Sequence, residues 1–194
     1  MKVHVLFAHP VEDSYQAALH RTVVETLTAQ GHAVDDCDLY AEGFQPVLTR
    51  KERLEYHDTS INQVPVQGYV DRLQAADALV FCFPVWCFGL PAILKGWFDR
   101  VLLPGVSFVL EEDGRVTPNL HHIHKAAAVT TYGRPRHWAW WMGDPPRKIM
   151  TRYVGRLIAP RAPITYLAHY HMNVSTDRTR ARFLDKVQRS MERF

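Results

Sequence analysis

Three short stretches of the chain carry side chains that could do chemistry together. Residues 8–16 read A-H-P-V-E-D-S-Y-Q, placing His9, Ser14, Tyr15 and Gln16 just ahead of a helix. Free N–H groups and the dipole at such a terminus favour an anion, so a phosphate or pyrophosphate would be well held. Taken alone, this loop is better read as an N-capping serine and an ordinary loop histidine. It has no Gly-x-Gly-x-x-Gly, so a Rossmann dinucleotide site is not indicated. Residues 84–91 read P-V-W-C-F-G-L-P and put Trp86 and Phe88 on a loop at the exposed end of a strand. Aromatic side chains there need something flat to cover, and the loop's N–H groups could bond the polar edge of a heterocycle. Residues 130–138 read T-T-Y-G-R-P-R-H-W, with two hydroxyls at a strand end and then Arg134, Arg136 and His137. These three side chains could supply positive charge or hydrogen bonds where a reduced ring develops negative charge; the alternative is an ordinary surface loop with a tryptophan-rich dimer patch.

A flavin supplies both features that the second loop asks for, a flat apolar face and a polar rim. The alternatives are a loop packed on its own domain or a subunit contact. Cys87 could act as a nucleophile, but no nearby feature points to an activating base. The cluster His121, His122 and His124 has no cysteine or carboxylate to complete a ligand spacing, so a polar loop is expected and no metal site.

The elements that would position these loops follow from periodicity. Lys2–Phe7 is an apolar run suited to a strand buried on both faces. Ser14 can cap a helix with Tyr15, Leu19, Val23 and Leu27 on one stripe and Gly31 as its stop. Ala33–Leu39 is a second strand. In residues 41–65, Thr49 caps a short helix through Tyr56 and the rest reads as loop, a long excursion of the kind that is often functional. Val66–Ala75 reads as a helix and Ala78–Phe83 as a third strand, followed by a Pro84–Gly89 loop. Pro91 then opens a helix to about Leu102. Ser107–Thr117 reads as a hairpin turning at Asp113-Gly114. Ala126–Thr131 and Ile164–Tyr170 complete five main strands. A helix starting at Asp144-Pro145 would bury Ile149, Tyr153 and Leu157. The last helix, from near Thr176, would bury Leu184, Val187, Met191 and Phe194.

Alternating strands and helices imply a doubly wound parallel sheet, here of order 2-1-3-4-5, with ligands beyond the carboxyl ends of strands 1 and 3. At 194 residues the chain is expected to form one domain, residues 1–194. A net charge of +3 is too small to argue for nucleic acid. Arginines crowd the C-terminal third (Arg147, Arg152, Arg156, Arg161, Arg178, Arg180, Arg182) and read as a solvated helix face or, more sharply, as a surface for an anionic cofactor or partner. The odd count of three cysteines, with Cys82 in an apolar run, argues against a disulfide framework and for a reducing compartment. No apolar run approaches a membrane span, so a cytoplasmic protein is expected. Trp138, Trp140, Trp141 and Met142 would form an apolar patch of the kind that marks contacts.

The segment F-P-V-W-C-F-G-L-P-A-I-L-K-G-W-F-D-R-V, Phe83 to Val101, closely resembles the flavin loop and following helix of NAD(P)H:quinone oxidoreductases. Ala8 to Tyr15 is similar to that family's phosphate loop, and Thr130-Thr131 matches the start of its third flavin loop. The resemblance implies a flavodoxin-like fold, FAD or FMN as cofactor, NAD(P)H as co-substrate and a homodimer. It implies ping-pong turnover, in which the nucleotide gives hydride to the flavin and leaves before a quinone-like acceptor takes two electrons. By motif position His9, Ser14, Tyr15 and Gln16 would contact the flavin phosphates. Pro84, Val85, Trp86, Cys87 and Phe88 would contact the ring, and Thr130, Thr131, Tyr132 and Gly133 would line it. The chain departs from the family where Tyr132 replaces the first of two glycines and Arg134-Pro135 follows Gly133. The family's downstream Tyr and His have no clean match, and His137 is the nearest candidate for a catalytic role. The same family includes regulatory flavoprotein subunits that dock on potassium-efflux transporters, the alternative function. A one-electron carrier usually has an acidic surface, which this chain lacks.

Overall fold

The computed structural model describes all 194 residues. Five parallel strands form one sheet in the order β2-β1-β3-β6-β7, and a two-stranded antiparallel hairpin, β4-β5, stands apart from it. The strands are β1 Lys2–Phe7, β2 Ala33–Asp38, β3 Ala78–Val85, β4 Phe108–Leu110, β5 Val116–Pro118, β6 Lys125–Tyr132 and β7 Ile164–His169. With the hairpin set aside, this is the 2-1-3-4-5 order that the sequence pattern implies. The switch point falls between β1 and β3, the strands from which neighbouring crossovers leave in opposite directions.

Alternation along β6 shows how the sheet is covered. Ala126, Ala128 and Tyr132 face one apolar cluster, which also contains Trp97 and Val154. Ala127 and Val129 face the other, with Leu19 and Leu27 of α1 (Tyr15–Ala29) and Val187 of α8 (Asp177–Met191). On the first side lie α3 (Gln67–Gln74) and α4 (Ala92–Val101), with α2 (Arg50–Glu55) earlier in the chain. Ser14 accepts from Ala17 N–H at 3.1 Å and so caps α1, while Gly31, at φ 80°, ends it. Thr49 and Glu52 form a capping box at the start of α2. The excursion after β2 packs on α4. Arg100 donates to Glu52 at 2.8 Å, and a Cβ on Gly96 would lie 2.3 Å from the Pro46 carbonyl oxygen, so only glycine lets the two segments meet. No helix is long and apolar enough to cross a membrane.

Besides shifts of one residue at element ends, three features differ from expectation. β3 continues through Pro84 and Val85, so the loop begins at Trp86. Pairing of β3 with β1 ends at Cys82, so the missing Pro84 N–H interrupts no bond on that side. β6 continues through Tyr132, opposite Val85. The helical run after Asp144 comprises α6 (Pro145–Lys148), a π-helical turn (Ile149–Val154) and α7 (Gly155–Leu157). Its buried stripe is Met150, Val154 and Leu157, while Tyr153 is exposed. The wider i→i+5 turn displaces the apolar face from the one that α-helical spacing predicts. In α8, Phe183 joins Val187 and Met191 in the core, and Leu184 and Phe194 are half-buried.

Candidate functional site

The ends of β1, β3, β6 and β7 converge on a polar cavity of about 290 Å³. His9, Ser14, Tyr15 and Gln16 line one side of it, and Pro84, Val85 and Trp86 line another. The geometry of α1 explains its polarity. The Ser14 hydroxyl already accepts from Ala17, and Ala18 N–H bonds to the Ser14 carbonyl. The N–H groups of Tyr15 and Gln16, at the first two helical positions, have no acceptor within the helix. They sit where an anion gains both hydrogen bonds and the dipole. Gln16 is buried and held rigidly: its amide donates to the Val129 carbonyl at 3.0 Å, and its oxygen accepts from Thr131 at 3.0 Å. The Tyr15 hydroxyl donates to the Arg180 carbonyl at 2.8 Å, and burial pushes this phenol well above the usual range. His9 Nδ1 accepts from Val11 N–H at 3.1 Å, and its ring lies 5.8 Å from that of Trp86.

A second, mostly apolar cavity of about 390 Å³ adjoins the first and shares Val85, Trp86 and Gly133 with it. Its floor is the turn Trp86–Gly89, closed by a 2.8 Å bond from Gly89 N–H to the Trp86 carbonyl. Cys87 and Phe88, at the centre of that turn, have φ of 49° and 56°. Two successive left-handed residues closing an i→i+3 bond are the type I′ pattern, normally the province of Gly and Asn. Each non-glycine residue held this way costs about 1–2 kcal/mol. Such strain is characteristic of ligand clamps. The turn leaves Trp86 42% exposed.

Together the chambers suit a ligand with an anionic tail and a flat ring. A model of the flavodoxin-like fold family matches residues 1–193. The chain belongs to the flavodoxin-like family.

Relatives of this flavodoxin-like chain carry oxidoreductase names. It is 39% identical over 128 residues to a ribosyldihydronicotinamide dehydrogenase-like protein of Penicillium crustosum, covering 58% of this chain and 48% of the relative. It is 35% identical over 120 residues to NAD(P)H dehydrogenase [quinone] 1 of Rattus norvegicus, covering 54% of this chain and 44% of the relative. The chain thus spans about half the length of the curated relatives it matches. Among solved structures, an NAD(P)H:quinone oxidoreductase from Methanothermobacter marburgensis superposes with a TM-score of 0.81 at 26% identity, over 99% of this chain and 96% of that one.

The flavodoxin-like site gathers most of the residues singled out by motif. His9, Ser14, Tyr15, Gln16, Pro84, Val85, Trp86, Thr131 and Gly133 meet at the polar chamber. Cys87, Phe88 and Tyr132 line the apolar one with Arg134. Thr130 lines neither, because strand alternation turns it to the opposite face from Thr131, where its hydroxyl is buried without a partner. His137 also lines neither. Pro135 starts α5 (Arg136–Trp141), and the first turn carries His137 into a separate cavity with Trp138, Trp140 and Trp141. Two chamber residues were not anticipated, Met172 and Asn173, which follow β7. Gly133 and Asn173 lie close together, a Cβ on the glycine falling 3.2 Å from Asn173 Oδ1. Tyr132 points its hydroxyl away from the chamber, donating to Asp144 at 2.6 Å and meeting the Tyr166 hydroxyl at 2.7 Å.

Proposed function

We propose that residues 1–194 form a single domain that binds FAD or FMN and catalyses NAD(P)H-dependent two-electron reduction of quinones or similar acceptors. The observation that carries this is the pairing of the two chambers. The polar one offers the unpaired N–H groups of α1, the Ser14 hydroxyl and His9 to a phosphate chain. The apolar one offers the strained Trp86–Gly89 turn to a ring system. The donor set fits a flavin: hydroxyl, imidazole and backbone N–H groups for the phosphates, an indole for the ring face, and the Cys87 and Phe88 amides for its polar edge. The relatives' names point the same way.

The chain's own residues then do three things. Gln16 and Thr131 lock the end of β6 to the start of α1, fixing the two walls of the polar chamber. Trp86 and Phe88 exclude water from one face of the ring. Arg134 places positive charge at the apolar chamber, where negative charge develops on reduction. A bound flavin supplies the hydride chemistry itself, and the protein supplies position and electrostatics. The free cysteines suit a reducing compartment such as the cytoplasm.

The test is reconstitution. Purified protein incubated with FAD and with FMN should retain one of them through gel filtration, and NAD(P)H should bleach the bound flavin absorbance. Absence of retained flavin under both conditions would refute the function.

A further inference from the structure

A cavity of about 330 Å³ beside Asp144 shares no lining residue with either chamber. Arg136 and Trp140 of α5 form one part of its wall, and Arg147, Lys148, Thr151 and Arg152 form the other. Four cations thus face one carboxylate, both of whose oxygens already accept a hydrogen bond. Asp144 Oδ1 accepts from Tyr132, and Oδ2 accepts from Arg147 Nε at 2.9 Å. Arg147 is held further by the Tyr170 hydroxyl, at 2.8 Å from Nη2. No ion pair of the chain involves Arg136, Lys148 or Arg152. Three unpaired cations on one cavity are a local concentration, since the net charge of the whole chain is only +3.

The shape of the wall narrows the ligand. Arginine and lysine donors around a pocket suit the oxygens of a phosphate group. Trp140 is the one hydrophobic residue of the wall, is 78% exposed, and also lines the neighbouring apolar cavity of His137, Trp138 and Trp141. A flat base can therefore lie on an indole while its phosphate meets the cations. The cavity also has a direct link to the flavin site. Arg134 lines the apolar chamber, and Arg136, two residues on, lines the cationic cavity. Tyr132 lines the apolar chamber and bonds Asp144 in the cationic wall.

We infer that this cavity takes the adenosine 2′-phosphate end of NADPH and makes the chain selective for NADPH over NADH. The inference rests on the oxidoreductase function proposed above, because it needs a nicotinamide ring at the neighbouring chamber. NADH carries a hydroxyl where NADPH carries the phosphate, so the cations discriminate the two without touching the reacting atoms.

The decisive protein is the flavin-loaded chain with the double substitution Lys148→Gln and Arg152→Gln, both exposed and without ion-pair partners. Calorimetric titration with adenosine 2′,5′-bisphosphate and with adenosine 5′-monophosphate reads the cavity independently of turnover. The bisphosphate should bind the unsubstituted protein at least about tenfold more tightly, and the double variant should lose that difference, since each charge-assisted bond is worth about a decade in affinity. The KM for NADPH should rise by a similar factor, with the KM for NADH and both kcat values unchanged. Equal affinity for the two probes, or an unchanged NADPH KM in the variant, overturns the assignment. Inorganic phosphate that displaces the bisphosphate at equal concentration also overturns it, by showing a site for phosphate alone. If neither nucleotide reduces bound flavin while the bisphosphate preference and its loss persist, the oxidoreductase function falls and the assignment to NADPH is overturned with it, leaving only an adenosine 2′-phosphate site.

Discussion

The hydroxyl of Tyr132 donates to Oδ1 of Asp144 across 2.6 Å, joining a wall of the apolar chamber to the cationic wall behind it. The Tyr166 hydroxyl, 2.7 Å away, donates to Tyr132 in turn, and the Arg147 guanidinium lies 4.2 Å from the centre of the Tyr166 ring. Asp144 itself sits at φ 45°, and its Oδ2 accepts from Arg147. Burial is the main reason that the phenol of Tyr132 lies far above its usual range, so it remains a donor at all working pH values. Tyr132→Phe removes the donor, leaving Asp144 one bond short and the Tyr166 hydroxyl without its acceptor. Stability should fall by about 1–3 kcal/mol, the cost of stranding a buried polar partner. Thermal unfolding checks this, and an unchanged Tm would show that the network relaxes around the loss.

Trp86 tests the ring chamber. It is 42% exposed, so Trp86→Ala should leave folding nearly unchanged while weakening flavin affinity about tenfold, the scale of an aromatic stacking contact. The neighbouring turn separates backbone from side chain. Cys87→Ser keeps the N–H and should keep flavin binding. Cys87→Pro removes the N–H and forbids the observed φ of 49°, so it should abolish binding. Fluorescence titration of FMN and FAD against the three variants reads all of this. Full affinity in Trp86→Ala would assign the indole to packing or subunit contact instead.

Much of this was legible from sequence, for reasons specific to each segment. The central strands β1 and β3 are, past Lys2, buried on both faces and apolar but for His4, and the order of the main sheet follows from their alternation with helices. Trp86 and Phe88 stood out because large aromatics at a strand's end have no core to enter. Met172 and Asn173 had no such signal: a methionine and an asparagine in a single 3-10 turn follow no readable periodicity. The one available clue was that β7 ends beside β6, which places its following loop at the same edge. The cationic cavity was illegible for another reason. Arg147 and Arg152 read as part of a solvated helix face, Lys148 carried no signal, and Arg136 joins them only through the left-handed Gly143-Asp144 turn. The π-helical turn likewise moved the buried face from Tyr153 to Val154, a change that α-helical spacing does not anticipate.

Subunit association is the next test. Trp141 is 70% exposed, stands edge-on to Trp138 at 5.7 Å, and is followed by exposed Met142. An apolar surface of this kind usually marks a contact. The chain should sediment as a homodimer at micromolar concentration. Trp141→Asp should shift it to monomer by placing a charge in the contact. A wild-type monomer would show that Trp141 makes no subunit contact.

Kinetics distinguish Arg134 from His137. Arg134 lines the ring chamber, with its guanidinium 5.7 Å from the centre of the Trp138 ring, whereas His137 lines the tryptophan cavity. Double-reciprocal plots against NADPH at several quinone concentrations should be parallel, the mark of ping-pong turnover in one pocket. Arg134→Ala should slow kcat at least about tenfold with flavin retained, on the scale of losing one charge-stabilising donor. His137→Ala should change it by less than about threefold, within the range of surface substitutions. Intersecting lines would mean that donor and acceptor bind together. The reverse order of the two variants would return the charge-stabilising role to His137.

Acid should destabilise the fold in two stages, and the signs follow from two groups. His169 is buried with Nδ1 unpartnered, packed edge-on against Phe183 and beside Tyr15. Burial holds its pKa below the ordinary histidine value, with Arg180 adding to the shift. The folded state therefore prefers neutral His169. Its contribution is complete above about pH 6.5 and is lost as pH falls through the lowered folded value. Asp35 accepts from His4 Nδ1 at 2.8 Å and from Arg72 Nε at 3.0 Å. The His4 bond, reinforced by Arg72, holds this carboxyl far below the usual range despite partial burial. Its contribution is complete above about pH 4 and disappears as pH falls toward the folded value. The Tm should therefore be flat from about pH 8 to pH 6.5, decline below that, and steepen below about pH 4. His169→Asn should remove the upper decline, because asparagine does not titrate. Asp35→Asn should lower the Tm already at neutral pH and flatten the steep acid limb. A Tm that rises on acidification from about pH 7 to pH 5 would contradict the sign for His169. An acid limb unchanged by Asp35→Asn would place the acid-sensitive contact outside the His4–Asp35–Arg72 cluster.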